Sequence, residues 1–224
     1  MLDKVKYITL GIRFNRSFGL ADSQGQIVDE VLMNSPFTAE KLPLVNERIG
    51  SKTVYNPDTK EFFSITRDDL IFNMQVDKFD IDFYKITSQF VPFITDTLMK
   101  KYKIGKVHRI GVIFRHELKQ NSNLYKTVER LTENKIQEPT SLIFRFTEKM
   151  AAPNWVSRGK DDYINTIYTF EQDNEKLFAD LDYQIYLTPP VEDIRQAKPD
   201  KFLEDAKKFL VEKFHSWLKN YNQG

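Results

Sequence analysis

Val107-His108-Arg109-Ile110-Gly111-Val112-Ile113-Phe114-Arg115-His116 is a strand by pattern and also a copy: at a shift of one hundred positions Gly111 falls on Gly11 and Phe114 on Phe14. In the earlier stretch, Tyr7-Ile8-Thr9-Leu10-Gly11-Ile12-Arg13-Phe14-Asn15, the apolar Ile8, Leu10, Ile12 and Phe14 alternate with smaller or polar residues, as in a half-buried strand. The same shift sets Val128, Glu129 and Leu131 on Val28, Asp29 and Val31. These belong to a short helix of Ile27, Val28, Val31 and Leu32, with Asp22 or Ser23 available as N-cap and Pro36 beyond its end.

Outward from these elements the order of patterns repeats. In the first half, residues 53–56, 62–65 and 70–76 read as a three-stranded meander with a hairpin turn at Asn56-Pro57-Asp58-Thr59-Lys60. Phe83, Ile86, Phe90, Phe93, Ile94 and Leu98 then mark a long amphipathic helix, with Pro92 as a kink or a later start. In the second half, strands are expected at 141–147, 163–170 and 181–187, and a closing helix at about 200–221 through Phe202, Ala206, Phe209, Leu210, Trp217 and Tyr221. The expected fold is α+β: a duplicated strand, helix, three strands, helix unit, with largely antiparallel sheets covered by two long helices. The repeats run over 1–104 and 105–224 and pack as one globular unit. Residues 35–50 and 151–160 read as irregular loops at which function can sit.

The composition excludes several classes. There are 224 residues, 33 Lys plus Arg against 32 Asp plus Glu, and no Cys, which removes disulfides, thiolate zinc sites, iron–sulfur clusters on Cys and Cys nucleophiles. The opening Met1-Leu2-Asp3-Lys4 lacks a secretory pattern and no apolar run is long enough to span a bilayer, so a cytoplasmic, non-membrane protein is expected. Divided after Ile104, the chain carries 14 basic and 14 acidic residues before the cut and 19 and 18 after it, so neither half is a basic module.

The run Phe72-Asn73-Met74-Gln75-Val76-Asp77-Lys78-Phe79, the aromatic helix after it, and Arg109 to Leu118 resemble the central signature of a sporadically distributed, uncharacterised bacterial protein family. The similarity extends to Ile12-Arg13-Phe14 and to the last helix with Phe214-His215. That family's second strand reads closer to Arg-Tyr-x-Asn where this chain has Ile113-Phe114-Arg115-His116. The resemblance implies a bacterial or mobile-element origin and carries no established activity. It is compatible with an accessory subunit of a mobile-element or defence system.

Chemistry-bearing motifs are sparse. His108 and His116 stand eight apart on one strand, about 26 Å in extended chain, too far to share an ion. His215 reads as a residue of an amphipathic helix. Arg115, His116 and Glu117 concentrate catalytic residue types, but neighbours on a strand face opposite ways, so the trio reads as a solvated strand end. An enzyme is the third reading, with these three as its first residues to mutate. Asp68-Asp69, Asp77 with Asp80 and Asp82, and Asp161-Asp162 adjoin element boundaries and read as turn and cap residues before they read as Mg²⁺ ligands. Walker, dinucleotide and G-x-S-x-G patterns are missing, and no cofactor, metal or catalytic residue is assigned.

The leading expectation is a noncatalytic interaction or regulatory protein, contacting a protein partner or its own copy through Leu42, Leu44, Trp155 and Val156 in the two loops. The alternative is a nucleic-acid-binding module with a basic and aromatic sheet face using Arg13, Arg16, Lys101, Lys103, Arg115, Arg145, Arg158 and Lys160. By fold analogy alone, a duplicated sheet covered by helices on one side resembles the architecture of TATA-binding proteins.

Overall fold

A computed structural model describes residues 2–35, 37, 40–118, 141–156, 161–173 and 176–222. Its strands form one nine-stranded antiparallel sheet in the order β2-β3-β4-β5-β1-β6-β9-β8-β7. The strands are β1 (Val5–Phe14), β2 (Leu44–Arg48), β3 (Ser51–Tyr55), β4 (Phe62–Thr66), β5 (Asp69–Gln75), β6 (Val107–Leu118), β7 (Ser141–Ala151), β8 (Tyr163–Asp173) and β9 (Lys176–Val191). The two strands that match in sequence lie side by side at the middle, antiparallel, with Gly11 opposite Gly111. Outward from this seam the order is alike on both sides: β5, β4, β3 on one and β9, β8, β7 on the other, with β2 added beyond β3.

Alternation drives the layering. In β1, Ile8, Leu10, Ile12 and Phe14 are buried, and in β6 Ile110, Val112, Phe114 and His116 are buried, while intervening residues are half-exposed on the other face. The three long helices among the described residues pack on the first of these faces. Helix α1 (Phe18–Asn34) lies against β3 and β4 with Ile27 and Val31 fully buried. Helix α2 starts as Phe79–Lys85 and continues through wide π turns at Ile86–Phe90 and Phe93–Met99, stacking Phe79 and Phe83 near Phe114 and Phe90 near Phe72. The expected kink at Pro92 takes this form: a residue without an N–H is absorbed by π turns on either side, and the helix runs on. Helix α3 starts as Pro199–Phe209, passes a π turn at Leu210–Phe214 and ends as His215–Asn222, setting Phe202 against Tyr183 and Phe214 against Tyr168.

Two local details correct the sequence reading. The first helix begins at Phe18, before the expected caps, because the Ser17 hydroxyl accepts the Leu20 N–H at 3.3 Å. Ser17→Ala is expected to cost about 1 kcal/mol in a urea melt, the usual worth of such a cap, and an unchanged midpoint would remove Ser17 from this role. The stretch 35–50 is not wholly irregular: β2 lies within it and joins β3 through Ile49-Gly50, where Gly50 takes φ 78°, a left-handed value that a side chain resists.

The carboxylate pairs serve the backbone. Asp82 Oδ2 accepts the N–H groups of Asp77 and Lys78 at 2.9 Å each, and Asp162 Oδ1 accepts that of Thr188 at 2.7 Å. Asp68 and Asp69 face Arg13. Among the described residues no three His, Cys, Asp or Glu side chains converge as metal ligands would.

Candidate functional site at the sheet edges and the face opposite the described helices

The two surfaces singled out by sequence meet different fates. Of the four partner residues, Leu42 and Val156 are each 2% exposed and belong to the core, which corrects their assignment to a docking surface. The reason is local: each loop is tied back, the Asn56 side-chain amide donating to the Lys41 carbonyl beside Leu42, the Val156 N–H to the Pro153 carbonyl and Lys198 Nζ to the Trp155 carbonyl. Trp155 is half-buried against the same core. Leu44 stays outside, 43% exposed on β2, where Val45 is 57% exposed and Ile49 in the following turn is wholly so. All five residues of β2 are exposed, and one of its edges pairs with no described strand. At the far end of the sheet β7 is likewise outermost, with Ile143 at 61% and Phe146 at 51%.

Three of the eight expected cations, Arg13, Arg115 and Arg145, lie on the sheet face opposite the described helices, and the carboxylates around them decide its character. Arg13 lies 3.9 Å from Asp68 and 3.6 Å from Asp69; Arg115 bonds Glu171, lies 3.6 Å from Asp180 and stacks over the Phe178 ring. Lys101, outside the sheet, is paired with Glu30. Arg16, Lys103 and Arg145 are exposed, while Arg158 and Lys160 lie outside the described residues. Where phosphates would need free positive charge, the centre of this face is an ion-pair lattice.

Two carboxylates in that lattice are held at a cost. Burial pushes Asp180 up to about 6 despite Arg115 beside it, with Glu171 and Asp182 adding to the rise. Burial also pushes Asp182 up to about 6, against the hydrogen bond from Gln184 and the attraction of Arg109 and Arg145. One oxygen of each, Oδ1, is buried with no hydrogen-bond partner among the described residues. Ordinary surface ion pairs do not shift carboxylates this way.

His116 corrects a second expectation. It is not at a solvated strand end but 1% exposed, beneath α3, while Glu117 on the opposite face lies near Lys176. The candidate catalytic trio is thus divided across the sheet. His116 Nδ1 sits 3.3 Å from the Phe114 carbonyl and 3.2 Å from that of Ala179. Carbonyls only accept, so Nδ1 carries the hydrogen and Nε2 is left as an acceptor. His215 Nε2–H donates to it at 3.0 Å, from a residue itself 5% exposed. This strand-to-helix pair was readable in part: continuing the alternation Ile110, Val112, Phe114 places His116 on the core face. Its helical partner has no such signal.

Comparisons with known proteins add little. No protein-family model and no curated protein matches the chain. Among solved structures it is similar to the TBP of Methanococcus jannaschii, at 10% identity and a TM-score of 0.27, over 92% of this chain and 98% of that one.

Proposed function

We propose that the protein is a noncatalytic interaction protein that adds a partner's extended segment to the free edge of β2. The observation that carries this reading is an outermost strand exposed along its whole length, with Leu44, Val45 and Ile49 turned to solvent beside a row of backbone groups that pairs with no described strand. Such an edge supplies affinity through main-chain hydrogen bonds and selectivity through its apolar side chains. Glu47 is neutralised by Lys52 at 2.7 Å, which leaves the Leu44–Val45 end apolar and favours a partner strand that is mainly uncharged there. In the accessory-subunit form of this reading, the partner is encoded beside the protein in a bacterial mobile-element or defence locus and the complex is cytoplasmic.

Co-expression with the products of adjacent genes tests the reading. A stable complex is expected, weakened at least tenfold by Leu44→Glu with Val45→Glu. Binding indifferent to both substitutions would overturn the β2 assignment. A titration against single- and double-stranded oligonucleotides is run alongside: tight binding lost steeply with added salt would transfer the function to nucleic acid, through Arg16, Lys103 and Arg145.

A further inference from the structure

The strand at the other end of the sheet is built differently from β2. It has eleven residues, pairs with β8 without a register break from Ser141↔Asp173 to Ala151↔Tyr163, and contains neither Pro nor Gly. Free edges are ordinarily kept short, bulged or interrupted by proline, because a long regular edge recruits another strand. Its described side chains from Ile143 to Lys149 are exposed apart from the half-buried Phe144. Phe144, Phe146, Glu148 and Met150 project to the helix side, opposite Phe170, Tyr168, Thr166 and Ile164 of β8; Ile143, Arg145, Thr147 and Lys149 project to the other.

We propose that β7 pairs antiparallel with β7 of a second copy, about a two-fold axis through Phe146, continuing the sheet across the dimer. The register follows from charge. A two-fold pairing that keeps each face intact must pass its axis through a residue and not between two, since a one-residue slip would turn every side chain over. An axis through Arg145 sets two arginines opposite each other, and one through Thr147 sets Arg145 opposite the partner's Lys149; like charges directly opposed are destabilising. An axis through Phe146 opposes no like charges. Arg145 meets the partner's Thr147, Ile143 meets the partner's Lys149, and Phe144 meets the partner's Glu148. All eleven residues then pair, and the two Phe146 rings meet at the axis on the helix side. The Phe146 rims of the two copies also adjoin grooves of about 450 Å³ formed with Tyr168, Lys213 and Trp217.

This surface lies at the opposite edge from β2, so its failure leaves the β2 reading standing. The natural absence of cysteine makes the register directly testable. Phe146→Cys is expected to form a disulfide-linked dimer on mild oxidation, because residues directly opposed across an antiparallel pair fall within disulfide range, whereas Arg145→Cys and Thr147→Cys are expected to stay monomeric on reducing-free gels. Light scattering on the unmodified chain is expected to give twice the 26.5 kDa chain mass, and Phe146→Lys to return it to one. Phe146 is half out in solvent, so circular dichroism should show both variants folded. A monomer at 100 µM or above would overturn the proposal, as would cross-linking at Arg145→Cys or Thr147→Cys in place of Phe146→Cys.

Discussion

Asp182→Asn is expected to make the protein more stable at pH 7, by up to about 3 kcal/mol, although it deletes a carboxylate flanked by arginines. Burial raises this carboxyl from 3.8 to about 6, so ionising it costs more in the fold than in the unfolded chain. The sign follows directly. A group whose folded value lies above its unfolded value contributes stability below pH 3.8 and loses it as the pH climbs through about 6. A neutral amide of the same shape escapes that loss and keeps the Gln184 contact through its carbonyl oxygen. Urea midpoints of the two proteins should differ most above pH 6 and converge near pH 3.5. If the variant is less stable at pH 7, the attraction of Arg109 and Arg145 outweighs burial and the reading of this lattice is wrong.

His116 should act in the opposite direction. Burial and the neighbouring His215 lower its value from 6.5 to about 4, so its contribution is complete above pH 6.5 and is lost as the pH falls through about 4. The loss is on the order of 3 kcal/mol. In the natural protein Asp180 and Asp182 gain over part of the same interval and mask it. The prediction is therefore sharpest in an Asp180→Asn, Asp182→Asn background, where the urea midpoint should drop steadily between pH 6.5 and 4. The His116 ring resonances should titrate near pH 4 by NMR; a midpoint near 6.5 would show an imidazole open to water and no buried pair.

The central strands, the meander and the long helices were legible because their residues divide sharply between two environments: Leu10 and Ile12, or Phe72 and Met74, can only be on a buried face. β2 was not legible. Both of its faces meet solvent, so Leu44-Val45-Asn46-Glu47-Arg48 shows no alternation, and only its pairing with β3 makes it a strand. The partner residues divided for a related reason: an apolar side chain in a loop has the same pattern whether it folds inward, as Leu42 and Val156 do, or outward, as Leu44 does. Arg13, Arg115 and Arg145 lie on strands while Arg16 falls beyond the end of β1, and the neutralisation of Arg115 depends on cross-strand neighbours, Asp180 and Glu171, which stand 65 and 56 positions from it. Sequence distance hides such pairs.

Joining β1 to β6 ties residue 11 to residue 111, so the middle of the sheet closes only after an intervening chain of about a hundred residues has been brought round. That contact is far less local than any hairpin pairing in the sheet, and assembly dominated by such pairings is slow. While it is pending, β1 and β6 each present a bare flank rich in Ile, Val and Phe. A ribosome releasing this polypeptide therefore exposes a sticky first half until the second emerges to meet it.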